Sequence, residues 1–303
     1  MTDAAKPAVG VIGVGAMGMA MACRLHALGH RVLARDVRPQ AEAEARAFGM
    51  TVCASPQAMA EQVGIAIVVV VNAQQIATVL FGADGIEAHA KRAAAAGAPS
   101  GVKTVMLCST IAPQDTIRFA KRLAGHGIAT IDAPISGGPA RALAGTMSMM
   151  LAAPAAALAP CQALLAELAE KRFVVSETIG DGAKAKLVNN LLAGINLVAG
   201  AEALALSAKV GLDPQAMFEI IRASSGASWV FEDRMARALA GDYTPPRAAA
   251  HIIAKDVGLA TTLAASVAHA TPLGDAALAR LRETLDSGWA ELDDAAVIKT
   301  YQR

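Results

Sequence analysis

The sequence has little that would indicate a metal-binding, disulfide-rich or nucleic-acid-binding protein. Its four cysteines, among 303 residues, are far apart and form no CxxC or CxxH spacing, which favours reduced cytosolic thiols over a metal site. The formal net charge is +1, with 27 lysines and arginines, 26 aspartates and glutamates, and no charged run. This balance argues against nucleic acid or an anionic membrane as a partner.

Long hydrophobic runs are also missing. The apolar segment 65–71 is short, and the segment 187–206 is interrupted by asparagines and a glutamate, whereas a membrane-spanning helix needs about 20 apolar residues. The apolar run near the N-terminus ends in a glycine-rich turn without a small-residue cleavage motif, so it does not match a signal peptide. We therefore expect a cytoplasmic protein.

Strand and helix signals alternate in the first part of the chain, and the length suggests two domains, since domains usually have roughly 100 to 200 residues. Buried parallel strands are predicted at 65–71, 104–108, 129–133, 146–152 and 172–175, and helices at 113–123 and 154–170. After Gly182, helical periodicity continues to Lys299. We predict an α/β fold, a Rossmann-type doubly wound parallel sheet in residues 1–178, followed by an all-α domain in residues 179–303.

A glycine-rich turn follows the first predicted strand. From Val9 an apolar strand leads into Gly13, Gly15 and Gly18 and then into a helix, which is the GxGxxG motif in the setting it requires. The first glycine makes the tight turn, the second lets a pyrophosphate approach the backbone, and the third allows close helix packing. The alternative is a glycine turn in another kind of α/β unit.

An acidic residue ends the second predicted strand. Asp36 lies 18 residues after Gly18, where a carboxylate can hydrogen-bond the ribose 2′-hydroxyl of a bound dinucleotide. Its charge would repel a 2′-phosphate, so it favours NAD over NADP. Arg35 and Arg38 flank it and would soften that preference.

Two loops after later strands carry candidate ligand contacts, because ligands of such sheets bind outside the carboxyl ends of the strands. Ser109 and Thr110 either contact a ligand or cap the next helix. Ser136, Gly137 and Gly138 either form a backbone nest for a carboxylate or are part of an ordinary turn.

The polar end of an apolar helix is the candidate catalytic segment. If this helix begins near Asp181, Lys186 and Asn190 are four residues apart and Asn189 lies beside them, so all three share one face. A lysine and a carboxamide so placed would hold an alcohol and move its proton. The alternative is a buried helix with a solvated first turn.

Four blocks together resemble the β-hydroxyacid dehydrogenase family. In chain order they are VIGVGAMG at 11–18, DAPISGGPARALAGT at 132–146, GDGAKAKLVNN at 180–190 and AKDVGLA at 254–260. They span nearly the whole chain, and their joint presence is more specific than any one of them.

The resemblance implies a role for individual residues. Lys186 would be the catalytic general acid/base and Asn190 a substrate-binding residue, while Ser136, Gly137 and Gly138 would bind the substrate carboxylate. The implied cofactor contacts are Gly13, Gly15, Met17, Gly18, Asp36, Val71, Gln75, Thr110 and Lys255. Val71 stands where the family usually has a proline.

The C-terminal half resembles members of this family that act on four-carbon sugar acids, through the blocks at 225–235, 241–245 and 293–299. This implies oxidation of such an acid by NAD to its 2-oxo acid, with L-threonate as the first candidate. His251 is a departure, since those members carry an acidic residue there. Trp229 and Phe231 either line the pocket or belong to the core.

Other functions stay open at this stage. Within the family the alternatives are 3-hydroxyisobutyrate dehydrogenase and tartronate semialdehyde reductase. An imine reductase on the same scaffold would not need the lysine, and a noncatalytic NAD-binding module would be expected to have lost it. The apolar, alanine-rich helices of the second domain predict a homodimer or homotetramer.

Overall fold

The computed structural model describes residues 6–302, which form two compact units that divide between Lys186 and Leu187. The first unit contains a β-sheet flanked by helices, and the second is helical. The domain boundary after residue 178 stays a prediction.

A single sheet of nine strands is found in the described part of the first unit. The strands are β1 (Val9–Ile12), β2 (Val32–Arg35), β3 (Thr51–Val52), β4 (Ile65–Val68), β5 (Thr104–Leu107), β6 (Ala129–Asp132), β7 (Ile135–Ser136), β8 (Ser148–Ala152) and β9 (Lys171–Ser176).

Helices connect these strands and then make up the second unit. In the first unit they are α1 (Ala16–Ala27), α2 (Pro39–Ala47), α3 (Pro56–Ala60), α4 (Ala73–Phe81), α5 (Ile86–Ala95), α6 (Pro113–Ala124), α7 (Gly138–Ala144), α8 (Ala155–Leu158) and α9 (Gln162–Leu168). The later ones are α10 (Asp181–Lys209), α11 (Pro214–Arg222), α12 (Ala236–Ala240), α13 (Ala250–Ser266) and α14 (Pro272–Thr284). A π-helical turn at Phe231–Met235, another at Leu285–Trp289 and a 3-10 segment at Asp294–Tyr301 accompany them.

The strand order is that of a doubly wound dinucleotide-binding sheet. Strands β3, β2, β1, β4, β5 and β6 lie side by side in that order, and all five pairings are parallel. From β1 the chain adds β2 and β3 on one side and then returns to add β4, β5 and β6 on the other side. Ligands of such sheets bind at this change of side, between β1 and β4, outside the carboxyl ends of the strands. The predicted fold class is confirmed.

The last strands differ from the prediction of buried parallel strands. β8 runs antiparallel to both β6 and β7, and it is parallel only to β9. The connection before β8 contains only the seven-residue helix α7, whereas parallel neighbours need a longer crossover. β9 is an edge strand that pairs with β8 alone, which explains why its apolar residues are exposed rather than buried.

The helix predicted over residues 154–170 is also interrupted. Pro160 lies in a 3-10 turn at Ala159–Cys161, between α8 and α9. Proline has no backbone N–H and its ring crowds the preceding turn, so one continuous helix does not form.

Successive strand residues pack on opposite faces of the sheet. Val11 belongs to a hydrophobic cluster with residues of α1, α2, α7 and α9, and its neighbour Ile12 belongs to a cluster with residues of α3, α4, α5 and α6. Both faces are therefore covered by helices, which leaves the carboxyl ends of the parallel strands as the edge where loops are available for a ligand.

The second unit packs around one hydrophobic cluster from α10, α11, α13, α14 and the segment after residue 294. Among the described helices, α10 is long and apolar enough to cross a membrane by length and composition, a test that core helices of soluble proteins also pass. In its most apolar 18-residue window, 39% is buried.

Candidate active site

The three glycines of the turn after β1 have different reasons to be glycine. Gly13 has φ +90°, and a Cβ there would lie 2.6 Å from the carbonyl oxygen of Val69. A Cβ on Gly18 would lie 1.9 Å from the carbonyl oxygen of Gly13. At Gly15, only the Arg38 guanidinium lies within 4 Å of a Cβ, at 3.4 Å, and φ is −72°. The protein itself thus requires Gly13 and Gly18, whereas the missing side chain of Gly15 leaves room that a pyrophosphate would use.

The start of α1 completes this cradle. The helix begins at Ala16, directly after Gly15, and no side chain caps it. Its first amide N–H groups and the positive end of its dipole suit a phosphate anion. Met17 is partly buried against the core, so its contribution to a cofactor would come from its backbone amide. These residues fit a dinucleotide.

Asp36 follows β2 and is only 8% exposed. Its Oδ1 accepts hydrogen bonds from the backbone N–H of Arg38 at 2.9 Å and from the Arg38 Nε at 3.1 Å, and its Oδ2 accepts one from Nη2 at 3.3 Å. Arg38 also lines, with Gly15, a groove of about 750 Å³ beside α1, α2 and α7. The residue expected to select NAD is therefore bound by a cation.

The loop after β4 closes on itself. The Val71 N–H donates to Oε1 of Gln75 at 2.8 Å, and Oδ1 of Asn72 accepts from the Gln75 N–H at 2.9 Å at the start of α4. A proline at position 71 would have no N–H to satisfy. Gln75 thus accepts the hydrogen bond from the N–H that Val71 has and that the family's usual proline would lack. It does so in addition to any contact with a cofactor.

The loop after β5 carries Thr110, which is partly buried, and Ser109, which is buried. The Ser109 hydroxyl has no hydrogen-bond partner within residues 6–302. The residue preceding α6 is Ala112, and no side chain caps this helix, so the helix-capping alternative for Ser109 and Thr110 is wrong.

The loop after β6 includes Ser136, which lies in the short strand β7 and whose carbonyl oxygen accepts from the Ser148 hydroxyl at 3.4 Å. Gly137 and Gly138 have φ of +130° and +76°, a backbone conformation that favours glycine. The stem of Arg141 lies beside them, since its Cδ is 3.0 Å from where a Cβ of Gly137 would be. Such a backbone turn beside an arginine suits a carboxylate.

The two lysines at the start of α10 have different environments. Lys186 is 7% exposed. Lys184 is exposed, and its Nζ donates to Oδ1 of Asp181 at 2.7 Å. Lys184 is thus part of a surface ion pair of the first turn, whereas the predicted catalytic lysine lies within the protein.

Asp132, the last residue of β6, holds the beginning of α10. Its Oδ2 accepts from the backbone N–H of Gly180 at 2.9 Å and of Ala183 at 3.0 Å. Burial raises the pKa of Asp132 to about 6, against the lowering effect of the amide N–H groups of Ala183, Gly180 and Gly182.

In the second unit, Asp256 brings two predicted site residues together. Its Oδ2 accepts from Nδ2 of Asn190 at 2.6 Å, and its Oδ1 lies 2.7 Å from Nζ of Lys255. Oδ1 of Asn190 in turn accepts from Nδ2 of Asn189 at 3.0 Å. Both Asn190 and Asp256 are buried. The carboxylate therefore fixes the orientation of the Asn190 amide and leaves its oxygen as the acceptor.

Sequence reasoning did not assign a role to Asp132 or Asp256. Both lie in segments that carry the family resemblance, at the first position of DAPISGG and inside AKDVGLA. The available signal for Asp256 was its position directly beside Lys255, a predicted cofactor contact, whereas Asp132 lies four residues before the nearest predicted ligand contact, Ser136. Within the part of the chain described, no group of three or more His, Cys, Asp or Glu side chains is arranged to hold a metal ion.

Three further residues singled out in the sequence lie in the second unit. Phe231 is buried and stacks on Phe218 with ring centroids 5.5 Å apart, so it is a core residue rather than a pocket residue. Trp229 is about half exposed. Nδ1 of His251 lies 3.1 Å from the carbonyl oxygen of Ala290, which ties this departure from the family pattern to the backbone.

The doubly wound sheet, the glycine turn with an uncapped helix and the acid after β2 define an NAD-binding protein. Comparison with known families agrees. The NAD-binding domain of 6-phosphogluconate dehydrogenase matches residues 8–179, and the NAD-binding domain of NADP-dependent 3-hydroxyisobutyrate dehydrogenase matches residues 180–301. The chain belongs to the 3-hydroxyisobutyrate dehydrogenase-like family of NAD-dependent hydroxyacid dehydrogenases, which act on CH–OH groups.

Several relatives are similar over nearly their whole length. L-threonate dehydrogenase of Cupriavidus necator is 40% identical over 293 residues, which cover 97% of this chain and 95% of the relative. 3-Hydroxyisobutyrate dehydrogenase of Pseudomonas aeruginosa is 33% identical over 312 aligned positions, covering 100% and 99%. A crystal structure described as 3-hydroxyisobutyrate dehydrogenase from Salmonella typhimurium superposes with a TM-score of 0.88 at 34% identity, covering 97% of this chain and 100% of that one.

Proposed function

We propose that this enzyme oxidises L-threonate, or a close four-carbon analogue, to the 2-oxo acid, with Lys186 as the general acid/base. The burial of Lys186 one turn into a helix that is anchored to the sheet at Asp132 is the observation that carries the catalytic assignment. The substrate rests on the relatives, since several at 36 to 40% identity are L-threonate dehydrogenases.

The proposed chemistry divides between proton and hydride. A bound NAD would supply the acceptor for the hydride of the carbinol carbon. Nζ of Lys186 takes the proton of the substrate hydroxyl in the oxidation, and in the reverse direction it returns that proton to the carbonyl oxygen.

The remaining predicted residues would orient the reactants. The oxygen of Asn190, whose amide nitrogen is committed to Asp256, would accept from a substrate hydroxyl. Ser136, Gly137 and Gly138 would hold the substrate carboxylate. Gly13, Gly15, Met17, Gly18, Asp36, Val71, Gln75, Thr110 and Lys255 would contact the cofactor. Fixing both ends of the substrate presents one face of its carbinol carbon to the hydride acceptor.

Lys186→Ala and Lys186→Met test the catalytic assignment. Either variant should lower kcat by roughly 10²- to 10⁴-fold, the usual contribution of a general acid/base, while the Kd for NAD stays within about twofold of wild type. Lys184→Ala is the matched control, since it removes an exposed lysine two residues away. We expect it to keep wild-type kcat. Turnover by Lys186→Ala at near wild-type rate refutes the assignment.

The substrate is tested by comparing kcat/KM for NAD reduction with L-threonate, erythronate, glycerate, 3-hydroxyisobutyrate and 3-hydroxypropionate. We expect the highest value with L-threonate. A higher value with 3-hydroxyisobutyrate would support the second candidate, which the full-length similarity to the Pseudomonas aeruginosa enzyme favours.

We also propose a homodimer or homotetramer in the cytoplasm, in which a second copy covers part of α10. Large apolar side chains on this helix are exposed, namely Val188 at 67%, Leu192 at 59% and Leu206 at 59%. Large apolar side chains exposed along one helix in this way support a subunit interface there. All four cysteines are free thiols, which fits a reducing compartment. The mass in solution is measured by light scattering, and a monomer would refute the assembly.

A further inference from the structure

The first turn of α10 is capped from a distant part of the chain. Asp132 is 1% exposed, and its Oδ2 accepts from two amide N–H groups of this turn, those of Gly180 and Ala183. The residues it joins are 48 and 51 positions away in the sequence. A carboxylate at a helix N-terminus satisfies otherwise unpaired donors and interacts favourably with the helix dipole.

The local acid of the same turn serves another purpose. Asp181 accepts from the hydroxyl of Ser176 at 2.7 Å and from Nζ of Lys184 at 2.7 Å. At α11 the arrangement is the ordinary one, because Asp213 immediately precedes the helix and accepts from the N–H groups of Gln215 and Ala216. The cap of α10 therefore fixes the helix to the sheet, whereas the cap of α11 only completes its own helix.

The helix start lies against the end of β6 and the middle of β8. A Cβ on Gly182 would lie 3.0 Å from Cγ of Asp132 and 2.8 Å from the carbonyl oxygen of Met150 in β8. No side chain fits at this position without displacing the helix. The contact therefore defines where α10 begins relative to β6 and β8, and Lys186 follows Gly182 by about one turn.

We propose that Asp132 is a positioning residue that acts through Lys186: by fixing the first turn of α10 against β6, it sets where the lysine amine meets the substrate hydroxyl. This rests on the proposed catalytic role of Lys186. A displacement of about 1 Å in a reacting group can lower a rate by roughly 10²-fold. An anchor that fixes the helix about one turn before the lysine therefore matters for turnover.

Asp132→Ala and Asp132→Asn are compared with wild type and with Asp213→Ala. The alanine variant should lower kcat by about 10- to 100-fold and leave the Kd for NAD within about twofold. The asparagine variant keeps an oxygen in place of Oδ2 and should restore kcat to within about threefold of wild type. Asp213→Ala removes a comparable cap from a helix without the lysine, so it should lower the melting temperature but keep kcat.

Two further variants make the outcome decisive. Asp132→Ala combined with Lys186→Ala should be no slower than Lys186→Ala alone, because the two changes remove one function. Gly182→Ala, which leaves both Asp132 and Lys186 intact, should also lower kcat at unchanged NAD affinity, and it replaces Asp132→Ala if that variant does not fold.

Wild-type kcat in Asp132→Ala or in Gly182→Ala would overturn the inference, as would additive losses in the double variant or an asparagine variant as slow as the alanine one. An active Lys186→Ala would refute the catalytic assignment itself. Inactive Lys186→Ala together with fully active Asp132→Ala would refute the positioning role alone.

Discussion

The contact between Asp36 and Arg38 joins the two features that decide cofactor choice. A free carboxylate after β2 repels a 2′-phosphate, and a free arginine attracts one. Here the guanidinium donates two hydrogen bonds to the carboxylate, which raises the pKa of Arg38 and offsets part of the acid's charge. NADP would meet a neutralised pair rather than an isolated acid. The selection of NAD should therefore be moderate.

Asp36→Ala should raise the KM for NAD by about 10- to 100-fold, the loss expected for a hydrogen bond to a charged group, and should improve the use of NADP. The reason is that Arg38 is released from its partner and remains beside the same groove. The measurement is kcat/KM for both cofactors. In Asp36→Ala/Arg38→Ala the gain with NADP should disappear. An unchanged ratio between cofactors in Asp36→Ala would contradict this account.

At the scale of elements, the β1–α1 unit separates what the fold requires from what a ligand requires. A Cβ on Gly18 would overlap the carbonyl oxygen of Gly13, so the close approach of helix and strand depends on glycine at this position. Gly15 has an ordinary backbone conformation, and only the Arg38 guanidinium lies within 4 Å of its Cβ position. One motif thus contains a position that the fold requires and a position that we propose the cofactor requires.

Gly18→Ala should lower stability by about 2 kcal/mol or more, because the new Cβ overlaps backbone atoms that cannot move without opening the turn. Gly15→Ala should keep the melting temperature within about 2 °C of wild type but raise the Kd for NAD at least tenfold, since the methyl group would occupy the pyrophosphate's approach. Thermal denaturation and NAD titration measure the two effects. Equal loss of stability in both variants would show that the distinction is mistaken.

The elements that sequence patterns predicted well are those with strong local signals. The glycine turn, the parallel strands β4, β5 and β6 and the start of α10 at Asp181 all lie where the pattern indicates. β8 and β9 lie where strands are predicted, but their direction and exposure depend on the strands with which they pair. Apolar runs such as FVV in β9 look alike in a buried strand and at an exposed edge.

At the scale of the whole chain, the residue types of the candidate site could be predicted, but their supports could not. Lys186 and Asn190 were identified from helical spacing and resemblance. Asp132 and Asp256, which bind the helix start and the Asn190 amide, act across 48 and 66 positions of sequence. No periodicity or local motif encodes such long-range hydrogen bonds, since they arise only when the elements pack.

Two buried carboxyl groups should give opposite contributions to the pH dependence of stability. Burial, assisted by the charge of Asp181, raises the pKa of Asp132 to about 6. Hydrogen bonding by Arg122, with further help from Lys91, lowers the pKa of Glu87 to about 2. A group with a raised pKa binds its proton more tightly in the folded state, so its contribution to stability is lost as the pH rises. A group with a lowered pKa contributes above its unfolded value and loses that contribution as the pH falls.

Melting temperatures of wild type and Asp132→Asn between pH 4 and 7 test this linkage. Asparagine does not titrate, so wild type should lose stability relative to the variant as the pH rises, by about 2 kcal/mol over the range, or several degrees in melting temperature. Glu87→Gln is the control of opposite sign, because wild type should lose its advantage over that variant as the pH falls from 5 towards 2. A constant difference between wild type and Asp132→Asn across this range would mean that Asp132 has the same proton affinity in the folded and unfolded chain, and hence that its burial is compensated by the amide donors of α10.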